Sequence, residues 1–212
     1  MVFSMWRIET ALDDTGAPYD RRAAGYDRLV RSRTYNRLVW ATSPDDYTQF
    51  AASAIAEDDG PLLDVGAGSA AATAQLHAAS GRPTVLADTS RAMLERAGER
   101  IGDDAPHIRL LQADALDLPL DGGFTTVLCM GLVHILDDPC ALLDALLAQT
   151  APGGVVHLSS LVAETGVGSR YLRVLHRAGE VAPPRTAAEL SEMLGGIALD
   201  VRGSMAYASI RR

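Results

Sequence analysis

The chain has 212 residues with a formal net charge of −8, 48% hydrophobic and 22% charged residues. That length supplies one substantial core with additions rather than two, and the composition is that of an ordinary globular protein. The acidic balance argues against nucleic acid or an anionic membrane as the main partner, because either would demand clustered Lys and Arg.

Two cysteines, Cys129 and Cys140, are too few for a disulfide framework or an unaided zinc site. No metal site is expected, and the cysteine usage points to a cytoplasmic location. Cys129 lies in an apolar run and reads as a buried thiol. The first ten residues hold no long apolar stretch and acids follow at Asp13, so neither an export signal nor an anchor is expected. No other run reaches membrane-spanning length.

In chain order, residues 1–20 carry no usable periodicity, and Asp13, Asp14, Gly16 and Pro18 predict a loosely packed lead. From Tyr19 to Trp40, the residues Tyr26, Leu29, Val30, Arg33, Arg37, Val39 and Trp40 recur near helical spacing. Ser43-Pro44-Asp45-Asp46 then opens a second helix through Tyr47, Phe50 and Ile55. Arg28, Arg31, Arg33 and Arg37 form a basic cluster, read either as a solvated face or as a contact for an acidic acceptor or carrier.

The stretch Leu62 to Leu76 organises the remainder. An apolar run reaches Asp64, turns through Gly66 and Gly68 and continues as an alanine-rich segment: strand, tight loop, helix. The glycines let the backbone approach a ligand, and Ser69 is expected to cap a helix over Ala70–Ala79. A nicotinamide or flavin dinucleotide would also use such a turn, but Asp64, two residues before the first glycine, would repel its pyrophosphate. Asp88 closes the next run, Thr84–Asp88, where a ribose-binding carboxylate is expected, and Asp114 follows the run 108–113. Three strand-end carboxylates suit a ligand with ribose hydroxyls and cationic groups but no phosphate. S-adenosylmethionine fits that description.

Ser90 begins a helix through Met93, Leu94 and Ala97 that stops near Gly102. Phe124–Met130 is apolar without alternation, as a strand buried on both faces should be. Asp137-Asp138-Pro139 opens a helix over 141–149, and Pro152-Gly153-Gly154 reads as a turn into a strand over Val155–Leu161, with His157 structural. Residues 162–195 exceed a plain connection. Tyr171, Leu172, Leu175 and Ala178 make one helical face, and Thr186 with Glu189 has capping-box spacing for another helix. Ile197–Val201 and Met205–Ile210 are the closing strands.

The segments Leu-Asp-Val-Gly-Ala-Gly (63–68), Ala-Asp-Thr-Ser-Arg-Ala-Met-Leu (87–94), Gln-Ala-Asp-Ala-Leu-Asp-Leu-Pro-Leu (112–120), Phe-Thr-Thr-Val-Leu-Cys-Met-Gly-Leu-Val-His-Ile-Leu (124–136) and Ala-Pro-Gly-Gly-Val-Val (151–156) occur in that order. Together they closely resemble the class I S-adenosylmethionine-dependent methyltransferases, in particular the small bacterial ubiquinone-methylase-like, type 11 group. The resemblance implies an α/β fold: a Rossmann-like, mostly parallel sheet of seven strands in the order 3-2-1-4-5-7-6. Its last strand is antiparallel, helices cover both faces, and an N-terminal helical cap precedes it. It also implies a division into a lid segment over 1–58 and a cofactor domain over 59–212 with a helical substrate insertion at 162–195.

By the same resemblance the cofactor-binding residues are Asp64, Gly66, Ala67, Gly68, Asp88, Thr89, Met93, Asp114, Ala115 and Met130. Asp88 holds the ribose, Met93 and Asp114 the adenine, and Met130 faces the methionine part. His134 is the candidate catalytic residue, as a general base with a pKa near neutrality or as a hydrogen-bond partner that orients the acceptor; a helix-packing role is the alternative. Tyr26, Tyr35 and Trp40 either stack on the ligand or pack on the sheet. The sequence departs from the pattern at Ala70, where many relatives have a third glycine, at Thr125 in place of Asp, and at Ile135 in place of a second His; the last two are expected to bear on substrate chemistry. The implied activity is methyl transfer to O, N or C of a small-molecule acceptor, leaving S-adenosylhomocysteine, by a monomer or homodimer. A cyclase or isomerase that binds the same cofactor without transferring methyl, and a noncatalytic partner subunit, are the alternatives.

Overall fold

Runs of apolar residues long enough to be covered on both sides pair in parallel, and here five of them form the middle of the sheet. The computed structural model describes residues 6–12 and 32–212. Its strands are β1 (Ile8–Thr10), β2 (Leu62–Val65), β3 (Thr84–Asp88), β4 (Ile108–Gln112), β5 (Phe124–Met130), β6 (Thr150–Leu161), β7 (Asp200–Arg202) and β8 (Met205–Arg211). They form an eight-stranded sheet in the order β1-β4-β3-β2-β5-β6-β8-β7. All neighbours are parallel except β6 with β8 and β8 with β7. From β2 onward this is the expected order, with the last strand inserted antiparallel beside β6.

The additional strand is β1, which corrects the expectation of seven strands; of the lead expected to be loosely packed, residues 6–12 are described, and Asp13, Asp14, Gly16 and Pro18 lie outside the described residues. Ile8 lies opposite Leu110 and Thr10 opposite Gln112. A strand of three residues is too short to show a period of two, so no sequence pattern announces it. What holds it is tertiary: Glu9 pairs with Arg109 at 2.6 Å, and Trp6 fills a notch at Gly98, where an added Cβ would come 2.6 Å from its ring.

The helices begin where local chemistry says they should. A turn at Arg33–Tyr35 continues as a wider helical turn over Asn36–Trp40, together α1. Helix α2 (Pro44–Ala56) starts with the Ser43/Asp46 capping box, α4 (Arg91–Ile101) with Ser90, α5 (Pro139–Gln149) with Asp138, and α7 (Ala187–Met193) with the Thr186/Glu189 box. Helix α6 spans Gly166–Arg177. Helix α3 differs from expectation: it spans Ala74–Ser80 rather than starting at Ala70. Ala70 adopts φ +47, a left-handed conformation that a helix cannot contain, so Ser69 is not its cap and the chain turns once more before winding up.

Alternation along the strands sorts the core into two faces. Leu63, Val65, Val127, Cys129, Val156 and Leu158 pack with Leu142 and Leu146 of α5 and Leu190 of α7. On the other face Leu86 and Leu110 meet α3 and α4, while Leu62, Leu128 and Met130 meet α2. Strand β6 is longer than expected. Its Pro152-Gly153-Gly154 is not a separate turn but an interruption of the β5 ladder, whose register moves from Phe124–Thr150 to Thr126–Val155. Strand β7 is shorter and later than the expected 197–201 run.

Beneath the sheet, Arg82 is 3% exposed and has its guanidinium taken up by the Ile55 and Gly60 carbonyls and the Thr125 and Thr126 hydroxyls. Thr125 also donates to Asp58 at 2.7 Å. It therefore sits at the starting end of β5, opposite to where a ligand would lie, and its departure from the family pattern concerns this clamp rather than substrate chemistry. Tyr26, Arg28 and Arg31 lie outside the described residues, as does most of the helix expected from Tyr19.

Candidate active site

The carboxyl ends of the parallel strands gather most of the residues singled out from the sequence. At the end of β2 the glycine loop folds back on β3: the amides of Gly66 and Ala67 both donate to the Ala87 carbonyl, at 2.8 and 3.1 Å. Gly66 has φ +68 and lies close enough to Leu132, after β5, that an added Cβ would meet it at 3.1 Å. Gly68 has φ +54 with nothing within 4 Å of an added Cβ, so its outer side faces open space. Both glycines occupy the left-handed region that other residues avoid.

Asp88 secures this loop. One carboxylate oxygen accepts from the Gly68 amide at 2.8 Å and the other from the Ser90 amide at 2.8 Å, joining the glycine loop to the start of α4. Thr89 is exposed, and its carbonyl accepts from the Gln112 side chain at 3.1 Å. Met93 is buried in the first turn of α4, and its amide donates to the Ser90 hydroxyl. Asp114 is exposed just past β4 and accepts from the Leu116 amide at 2.9 Å; Ala115 packs its methyl on the core beside it. These loops are contiguous, with the Ala113 amide donating to the Asp88 carbonyl.

Asp64 is different. It is 2% exposed, and its Oδ2 lies 2.8 Å from Nε2 of His77 on α3, itself fully buried. Its other oxygen, Oδ1, is buried without a hydrogen-bond partner among the described residues. Sequence reading gave His77 no role, because a pairing thirteen positions apart across a loop leaves no periodic signal.

Met130, at the end of β5, is buried against α2, and its carbonyl accepts from the Tyr47 hydroxyl at 3.0 Å. Tyr47 was legible only as part of a helix start; its reach to the sheet edge depends on how α2 packs. Tyr35 and Trp40 instead meet Tyr171 of α6 edge to face, at centroid distances of 6.1 and 5.5 Å, so both pack within the protein.

His134 stands apart from the glycine loop, in the turn after β5. Its Nδ1 accepts from the Leu161 amide at 3.4 Å, and its carbonyl accepts from Ala182 in the insertion. It lines a small cavity with Ser160, Leu172, Pro183, Arg185 and Leu190. Burial, aided by the Arg185 charge, pushes its pKa from 6.5 down to about 4. The neutral ring then carries its proton on Nε2 and is a donor there, which removes the expectation of a base titrating near neutrality. The Cys129 thiol is buried and its pKa raised by desolvation, so it is inert. Among the described residues no cluster of three or more His, Cys, Asp or Glu could hold a metal ion, and no helix is long and apolar enough to cross a membrane.

An open parallel sheet with its glycine loop and carboxylates at the strand switch point, closed by an antiparallel strand beside β6, defines the class I S-adenosylmethionine-dependent methyltransferase fold. Residues 62–154 match the family model of the methyltransferase domain, and the chain carries such a domain. A demethylmenaquinone methyltransferase from Clavibacter sepedonicus is 35% identical over 142 residues, 65% of this chain and 54% of the relative. The chain thus spans about half the length of that curated relative. Among solved structures, an S-adenosylmethionine-dependent methyltransferase from Thermotoga maritima superposes with TM-score 0.64 at 16% identity, covering 90% of this chain and 96% of the other. A geranyl diphosphate C-methyltransferase from Streptomyces coelicolor, solved with S-adenosylhomocysteine, gives TM-score 0.61 at 16% identity over 94% and 82%. At these identities the structures speak to the fold.

Proposed function

We propose that this chain catalyses methyl transfer from S-adenosylmethionine to a nucleophilic atom of a small, largely apolar acceptor. The observation that carries the reading is the strand-end constellation: Asp64 with an unpartnered buried oxygen, open space beside Gly68, and Asp88 next to it. An ammonium suits the bare carboxylate oxygen, and the Gly68 loop leaves room that a Cβ would take. When bound, the cofactor supplies a methyl group already activated on a sulfonium.

Asp88, whose bonds from the Gly68 and Ser90 amides hold the loop, meets the ribose hydroxyls, and Thr89, Met93, Asp114 and Ala115 border the adenine. Met130 borders the methionine part from the β5 side. The protein contributes alignment and exclusion of water, which suffice for an in-line displacement, so a dedicated base is not required. His134 donates from Nε2 to an acceptor oxygen and orients it. Of the expected lid segment 1–58, residues 8–10 belong to the sheet, so the lid role falls to α1 and α2, with 162–195 as the acceptor-side insertion that α1 meets through the Tyr35, Trp40 and Tyr171 contacts.

The Clavibacter relative directs the first choice of acceptor to demethylmenaquinone. The test is incubation with S-adenosylmethionine and a panel of hydroxylated aromatic and quinol acceptors, following S-adenosylhomocysteine by chromatography. Acceptor-dependent formation supports the proposal; conversion of an acceptor with no S-adenosylhomocysteine formed would replace it with cyclase or isomerase chemistry.

A further inference from the structure

We infer that His77 is a positioning residue for cofactor recognition: it holds the Asp64 carboxylate so that one defined oxygen, Oδ1, is offered to the amino group of the cofactor's methionine part. The inference rests on the methyltransferase reading above. Both side chains are buried, at 0% and 2% exposure, and the Nε2–Oδ2 distance is 2.8 Å. Asp64 shares its face of the sheet with Leu62, Leu128 and Met130, which offer no side-chain donor to Oδ1. His77 Nδ1 is also buried without a partner among the described residues, so the ring has a single polar engagement, the one with Asp64.

A carboxylate in apolar surroundings with half its acceptor capacity unused is costly to keep, and a structural ion pair would be expected to satisfy both oxygens. An incoming ammonium supplies both the missing donors and the opposite charge. Rotation about the Cβ–Cγ bond of Asp64 would tilt the carboxylate plane, and the bond from His77 restrains it. The backbone that carries the ring is fixed in α3, the His77 amide donating to the Thr73 carbonyl and the His77 carbonyl lying 3.3 Å from His107 Nε2. His77 acts through Asp64 and need not touch the ligand.

The experiment is calorimetric titration of the full chain, wild type, His77→Ala and His77→Gln, with two ligands. S-adenosylhomocysteine carries the amino acid; 5′-deoxy-5′-methylthioadenosine keeps the nucleoside and thioether without it. The expected result is a loss of about tenfold or more for S-adenosylhomocysteine in His77→Ala, with methylthioadenosine changed by less than about twofold, the scale of one charged hydrogen bond. His77→Gln, whose amide nitrogen can reach the place of Nε2, recovers most of the loss. An equal loss for both ligands, or none for either, overturns the positioning role. Failure of the wild type to bind either ligand would instead overturn the cofactor reading itself. If the alanine variant does not fold, His77→Leu, which fills the volume without a donor, takes its place with the same expected split.

Discussion

At the scale of single residues, the loop after β2 is controlled by backbone conformation. Gly66 and Gly68 both lie at positive φ, but only Gly66 faces a neighbour, Leu132. An alanine at either should cost about 1–2 kcal/mol in left-handed strain, and Gly66→Ala should cost more by its contact with Leu132. Urea unfolding of the two variants measures that difference; equal midpoints would mean that Leu132 yields freely. His134 makes a second residue-level prediction. Its folded pKa of about 4 lies below the ordinary 6.5. Its contribution to stability is therefore fully present above pH 6.5 and is lost as pH falls toward 4, because the unfolded chain takes up a proton that the folded ring refuses. The loss approaches about 3 kcal/mol, and a His134→Gln variant should show a flatter stability profile across that window. A parallel pair of profiles would remove the neutral ring from this account.

At the scale of elements, caps place the helices and packing places what the helices carry. Ser90 accepts from the Met93 amide at 3.2 Å at the start of α4, and Ser90→Ala should lower stability by about 1–2 kcal/mol, read from thermal unfolding. Helix α2 meets the sheet through Tyr47, which donates to the Met130 carbonyl, and through Asp46, which accepts from Arg202 of β7. Tyr47→Phe should cost about 1 kcal/mol or less in stability. If α2 serves as part of the lid, it should also raise the exchange rate of α2 amides under native conditions. Unchanged exchange would mean that the remaining contacts hold α2 without the Tyr47 hydroxyl. The caps at Ser43, Ser90, Asp138 and Thr186 were legible because each depends on residues within four positions. The start of α3 was not: an alanine-rich stretch favours helix from Ala70, but closure of the glycine loop on β3 forces Ala70 into a left-handed turn.

At the scale of the molecule, the sheet is closed below by Arg82, which ties the end of α2, the approach to β2 and the start of β5 with four hydrogen bonds. Arg82→Ala leaves buried carbonyls and hydroxyls unpaired and should cost about 3–5 kcal/mol. Arg82→Lys should recover little, since an ammonium cannot match the planar fork. Full recovery by lysine in urea titrations would show that charge, not geometry, matters there. The same clamp explains Thr125, whose partners Arg82 and Asp58 come from distant parts of the chain.

What the sequence determined by itself is what short range encodes: the apolar runs of the parallel strands, the glycines that need positive φ, the helix caps, and the carboxylates at the strand ends. Family resemblance then ordered those strands. Only the tertiary structure decided that a three-residue segment near the N-terminus joins the sheet, that Thr125 belongs to a clamp, that His134 turns its Nδ1 to the Leu161 amide, and that His77 meets Asp64. The reason is physical: burial and the pairing of polar atoms are set by distant parts of the chain brought together, and a buried oxygen with no partner can be recognised only once everything around it is in place.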